Sequence, residues 1–352
     1  MTASDTQDGA AGPGVVTYAA TRHPRAVWWS AGLGMSLANA VRHRLRGYRT
    51  PRPFGVDDVE RNVDYVIGVA DRWARDGDLD FTGRRILELG PGPDLGTGAI
   101  MLARGAESYT AADLFPLASG TGQAFYEALG ARLGGPVERD WLSYRVTAFP
   151  GMPDLRGPFD LVVSNAALEH FDDVPATFAR LAELVAPGGV MCHHIDGMAH
   201  MRGIRSRDPL NLLRYPAPLY RAMSFPGIPN RLRARDFLAY AAATGWSARV
   251  VPGLVAPAAY VEAARPGLTR EYRARDAEDL ALLTFTLVAR RQAAPKTVSI
   301  PKTVSIPKTV STPKTVSIPK TVSTPKTVST PKTVSTPKTV STPRTLSTPA
   351  TR

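Results

Sequence analysis

An acid stands in an apolar run and is followed at once by glycines: Ile86–Leu89 carries Glu88, and Gly90, Pro91, Gly92, Pro93 and Asp94 come next. A carboxylate in a buried strand is costly unless something donates hydrogen bonds to it, so Glu88 marks a place where a polar partner or ligand is held. Gly90 and Gly92 lack a Cβ and let a ligand touch backbone. Asp113 lies 21 residues beyond Gly92, at the end of a second apolar run, Glu107–Ala112. A carboxylate at that spacing and strand end can accept from both hydroxyls of a ribose. Further along, Ser164 and Asn165 close an apolar run, Glu169 and His170 follow, and His193, His194 and Asp196 end another, with His200 shortly after. Imidazoles exchange protons near neutral pH. His194 is the expected general base with Asp196 orienting it, and His170 is the second candidate. His193, His194, Asp196 and His200 could also be read as metal ligands. Successive strand residues face opposite sides, so His193 and His194 cannot share one ion, and no metal is expected.

These residues need strands to end together and helices to cover them. Ile86–Leu89, the glycine turn and the apolar run after it form a strand, tight turn and helix N-terminus, the parts of a nucleotide-binding unit. Asp57 with Glu60 suggests a capped helix just before, with Val63, Val66, Ala70 and Trp73 on its buried face. A helix is expected over 117–133 and a third strand over 143–149. Leu161–Val163 is a fourth strand. Asp172 or Asp173 caps a helix that buries Phe178, Leu181, Ala182 and Val185, and Pro187, Gly188 and Gly189 stop it before strand Val190–Ile195. A helix over 235–246 and strands over 248–251 and 280–289 complete the pattern.

The stretch ILELGPGPDLGTG resembles motif I of the class I S-adenosylmethionine-dependent methyltransferases, with Asp94 where the third glycine of Gly-x-Gly-x-Gly stands. FDLVVSNAALEHFDDV, 159–174, resembles the fourth-strand motif of the type 11 methyltransferase domains, and LAELVAPGGV resembles their turn into strand five. The resemblance covers roughly residues 53–291. It implies an α/β fold, a Rossmann-like three-layer sandwich with a mostly parallel seven-stranded sheet whose final strand is antiparallel. It implies S-adenosylmethionine as cofactor, held by Glu88, Gly90, Gly92, Asp94, Asp113, Leu114 and Asn165. A dinucleotide-binding G-x-G-x-x-G would need glycine at Leu95, which disfavours a nicotinamide dehydrogenase. No Asn/Asp-Pro-Pro-aromatic run follows strand four and no Pro-Cys pair occurs. Amino methylation of adenine or glutamine and cytosine-C5 methylation therefore lose ground. A small-molecule acceptor remains, through oxygen, nitrogen or carbon.

Charge divides the 352 residues unevenly. Residues 295–352 repeat PKTVSI or PKTVST eight times, then PRTLST and PATR, and hold eight lysines, Arg344 and Arg352 with no acid. They contribute +10 of the net +12. Proline every six residues and no aromatic side chain predict a disordered tail over 292–352, able at most to make weak, salt-dependent contact with a polyanion. A non-catalytic cofactor-binding domain tethered to a polyanion by this tail is the alternative reading. Residues 1–50 are expected to be an N-terminal extension, disordered to about residue 20, and 51–291 the catalytic domain. The uncharged run 26–41 is short for a membrane span and is expected to pack on the domain as a helix; lying on a membrane surface is the alternative. One cysteine, Cys192, and no secretory signal point to a cytoplasmic protein. Residues 197–233 form a proline-broken insertion beyond strand five, a substrate lid by position, with seven arginines against Asp208 alone. Arg202, Asn230 and Arg231 are expected to contact substrate, and the charge favours an anionic acceptor.

Overall fold

A computed structural model of the chain describes residues 18, 21, 24–46 and 57–292; the side chains of Ser119 and Arg202 are not described. The expectations of disorder for the repeat tail, and for the first twenty residues apart from Tyr18, lie outside the described residues.

Seven strands form one sheet: β1 (Arg85–Leu89), β2 (Ser108–Asp113), β3 (Leu142–Val146), β4 (Phe159–Asn165), β5 (Val185–Asp196), β6 (Trp246–Pro252) and β7 (Thr284–Arg291). Their order is β3-β2-β1-β4-β5-β7-β6. The first five run parallel and β7 is antiparallel to both neighbours. Strand order reverses between β1 and β4, which opens a crevice at their carboxyl ends. Alternation along β1 fills both faces of the sheet. Ile86 joins the core under α2 (Val59–Gly77), α3 (Gly96–Ala103) and α4 (Gln123–Leu133). Leu87 and Leu89 join the opposite core under α5 (Val174–Leu184) and α6 (Ala234–Ala243). That is the three-layer arrangement, and it turns Glu88 toward the α2 side.

Local chemistry sets several element ends. Asp173 caps α5 by accepting from the Ala176 amide at 2.9 Å. Asp58, rather than Asp57, occupies the N-cap position of α2, without a side-chain cap bond. The helix expected over 117–133 is divided: a 3-10 turn at Ala118–Gly120 precedes α4, because Gly122 is extended there. β3 stops at Val146. α6 ends at Ala243, and Gly245 at φ +83° turns the chain so that Trp246 opens β6. Ala277–Ala281, three residues short of β7, is a helical turn rather than strand.

A third core lies beyond strand five. α1 (Arg25–Arg46) inserts Trp28 among lid residues such as Met201, Leu213 and Tyr215 and residues from the β6–β7 connection such as Tyr260 and Leu280. Helix packing is thus the arrangement of the run 26–41. Among the described residues no helix is long and apolar enough to cross a membrane. The segment 197–233, expected from sequence to be a lid, is fastened by a buried polar cluster. Arg214 grips Asp208 with two hydrogen bonds of 2.7 and 2.9 Å, Tyr260 donates to Asp208 at 2.8 Å, and Asn211 joins Asp208 to the Trp28 carbonyl.

Candidate functional site

The crevice at the switch point is a cleft of about 300 Å³. One wall is the glycine turn. Gly90 and Gly92 have φ of +64° and +79°, a region that favours glycine. A Cβ on Gly90 would stand 2.8 Å from the Ala167 Cβ, so the close approach of the β1 and β4 turns also requires glycine. Asp94 has no positive φ and needs no glycine; its Oδ1 accepts from the Gly96 amide at 2.9 Å at the start of α3. Gly96 and Gly98 serve packing instead. Cβ atoms there would meet the rings of Phe125 and Tyr109 at 2.8 and 2.3 Å.

Space for the Tyr109 ring matters because its hydroxyl donates to Glu88 Oε2 at 2.6 Å, beside Thr97 Oγ1 at 2.6 Å. Glu88 is 3% exposed, and burial outweighs these two bonds, lifting its carboxyl to about 7. Asp113, at the end of β2, accepts from the Phe115 amide at 3.2 Å. Burial raises its pKa while the amides of Phe115, Gly92 and Leu114 counter the shift. Asn165 at the end of β4 donates to the Tyr65 hydroxyl at 2.8 Å and accepts from Arg72 at 3.2 Å. Ala166 follows at φ +49°, a strained position that swings the chain over the cleft.

Glu88, Gly90, Gly92, Asp94, Asp113, Leu114, Asn165 and His170 all line this one cleft. Tyr65, Phe115, Phe149, Phe171 and His200 line it too, beyond the set expected from sequence. Tyr65, Phe115 and Phe149 lie in no motif, and only the packing of α2 and the loops after β2 and β3 reveals them; Phe171 lies within the fourth-strand motif.

Several expected residues lie elsewhere. The ring of His194 sits beside Thr286, with Nδ1 3.3 Å from its hydroxyl, and is absent from the cleft wall. The register pairs Asn165 with His194, one strand beyond the switch point, where α2 covers it. Asp196 does not orient it: its carboxylate accepts from the Met198 amide and pairs with Arg205 at 2.5 Å. His193 is wholly buried against Ser164, and burial lowers its pKa to about 3. Asn230 clamps the turn after β4 by donating to the carbonyls of Leu168 and Phe171. Arg231 donates to the Tyr215 carbonyl and lies 4.2 Å over the Tyr220 ring. The side chain of Arg202 lies outside the described residues. Among the described lid arginines none lines the cleft; Arg214 and Arg233 are buried and spent on Asp208 and on backbone carbonyls.

At the far end of the cleft, His170 and His200 stand edge to face with centroids 4.8 Å apart. Burial, then His200, lowers the His170 pKa to about 4, so it is neutral at pH 7. Behind them, burial and then the charge of Asp196 hold the Glu169 carboxyl well above the usual range. The cleft is therefore lined by the carboxylates Glu88 and Asp113 and also by aromatic rings and imidazoles.

Residues 61–248, more than half the chain, match a family model described as methyltransferase domain. The chain is similar to malonyl-[acyl-carrier protein] O-methyltransferase of Chlorobium luteolum, 36% identical over 124 residues, covering 34% of this chain and 43% of that protein. It is also similar to the enzyme of that name from Prosthecochloris aestuarii, 29% identical over 128 residues, 36% and 45% of the two chains. The matches thus span under half the length of these relatives. A solved S-adenosylmethionine dependent methyltransferase from Mesorhizobium loti aligns with a TM-score of 0.38 and 19% identity over 64% of this chain and 100% of its own.

Proposed function

This chain belongs to the methyltransferase domain family, in the class I group that uses S-adenosylmethionine, and from that premise we propose that it transfers the methyl group to an oxygen of a small-molecule acceptor. The observation that carries the reading is the meeting of Glu88, Asp113 and the glycine turn with a pair of imidazoles on one cleft. On this reading Asp113 accepts from the ribose hydroxyls, Gly90 and Gly92 admit the methionine portion against backbone, and Asn165 borders the transferred methyl. An acceptor lone pair forms the new O–C bond while the C–S bond breaks and its electron pair stays on sulfur. The sulfonium is already activated, so the chain mainly aligns donor and acceptor, an effect that can lower the barrier by about 7 to 11 kcal/mol.

An oxygen acceptor is supported by the O-methyltransferase names of the two curated relatives and by neutral His170, which can accept a hydrogen bond or proton from a hydroxyl. The aromatic rings of Phe149 and Phe171, with centroids 4.5 Å apart, favour an acceptor with an apolar body. No described arginine of residues 197–233 lines the cleft, so these side chains give no support to an anionic acceptor.

The test is methyl transfer from radiolabelled S-adenosylmethionine to acceptor pairs differing only in a hydroxyl, carboxyl or amine, with His170→Ala and His194→Ala alongside. Transfer to the oxygen member is expected, with turnover lost in His170→Ala at unchanged cofactor affinity and kept in His194→Ala. Transfer to the amine alone, or loss only in His194→Ala, contradicts this assignment.

A further inference from the structure

We propose that Glu169, His170 and His200 bind a divalent first-row transition-metal cation at the acceptor end of the cleft. One ligand atom from each lies within 4.8 Å of the other two. Glu169 is 2% exposed, and neither of its carboxylate oxygens meets a hydrogen-bond partner at normal geometry. Such a group is expensive to keep buried. His170 Nδ1 is likewise buried without a partner. His200 Nδ1 lies 2.9 Å from the Met198 carbonyl, which fixes the ring proton there and leaves Nε2 as a lone pair 3.9 Å from Glu169 Oε1. A backbone carbonyl behind a ligating imidazole is the usual way a metal-binding tautomer is set.

The three donors come from two separate parts of the fold. Glu169 and His170 belong to the 3-10 turn Leu168–His170 after β4, which Asn230 ties down through the carbonyls of Leu168, Glu169 and Phe171. His200 comes from the lid, beside the Asp196–Arg205 ion pair. One carboxylate and two imidazoles suit zinc, iron(II) or manganese(II) better than calcium or magnesium, which prefer oxygen cages. Three protein donors leave positions open, and both imidazoles line the cleft, so those positions face the acceptor. On the methyltransferase reading, with His170 serving as a ligand in place of the proton acceptor, the cation would hold the acceptor's oxygen and promote loss of its proton to water, leaving the lone pair that attacks the methyl carbon. The ligand class this adds is an oxygen acceptor able to coordinate a metal, such as a carboxylate or a hydroxyl beside a second oxygen.

The test is equilibrium dialysis of the chelator-treated full chain against zinc or manganese(II) chloride with elemental analysis, and visible absorption after cobalt(II) addition. One equivalent is expected, with Glu169→Gln and His200→Ala each weakening it at least about 100-fold while S-adenosylmethionine affinity stays within about twofold. His200 is the most exposed of the three, so its variant carries the test if Glu169→Gln does not fold. No binding by the unmutated chain, or binding that these variants leave unchanged, overturns the site. Failure of the unmutated chain to bind S-adenosylmethionine would count against the methyltransferase reading and leave the metal result to be read by itself.

Discussion

Glu88 shows what one residue can report. Its carboxyl titrates near 7 in the fold against an ordinary value of 4.5. As pH rises through that window the unfolded chain ionises before the folded one does. The ligand-free protein therefore loses stability between about pH 4.5 and 7, by on the order of 3 kcal/mol. Glu88→Gln should flatten that part of the profile of melting temperature against pH; an unchanged slope would mean that another group titrates there. This acid was legible in the sequence because a carboxylate inside an apolar strand requires donors, and Gly90 and Gly92 because residues without a Cβ in a tight turn let a ligand touch backbone; their positive φ came from the structure. His194 lies away from the cleft wall for a physical reason. Sequence says that it ends a strand at the ligand-binding edge, but only the sheet order says that its strand stands one place beyond the switch point. Glu169 was legible as part of a motif and not as a metal ligand, since its partner His200 lies 31 positions away and arrives with the lid.

At the scale of elements, the apolar run Ile86–Leu89 and the helical spacing of Phe178 and Leu181 were enough to mark a strand and a helix, while their layers came from the family resemblance. Element ends were less legible, because a single backbone choice at Gly122 or Gly245 moves them by several residues. The lid's arginines show the limit of composition as a guide to function. Their number suggested an anion site, yet Arg214 and Arg233 are buried inside the lid's own framework. The Asp208–Arg214 pair is wholly buried and serves α1, the lid and the β6–β7 connection at once. Asp208→Ala should cost about 3 to 5 kcal/mol in chemical unfolding, because it strands a buried guanidinium. A loss below about 1 kcal/mol would show that the cluster does not hold the lid.

At the scale of the whole molecule, the net charge of +12 sits almost entirely in the repeats after Pro295, leaving +2 for the first 294 residues. Polyanion contact and methyl transfer should therefore be separable. Cleavage near Pro295 is expected to abolish any salt-sensitive retention on heparin while leaving cofactor affinity within about twofold; retention that survives cleavage would place the contact on residues 1–294. On the proposed reading, the cleft at the β1–β4 switch point holds S-adenosylmethionine with Asp113 on its ribose. Calorimetric titration of the full chain with S-adenosylmethionine, S-adenosylhomocysteine and NADH, repeated with Asp113→Ala, tests it most directly. Binding of both adenosyl ligands but not NADH is predicted, with a loss of about 1.5 to 3 kcal/mol, one to two decades of affinity, in the variant. Binding of NADH alone, or adenosyl binding indifferent to Asp113, would contradict it.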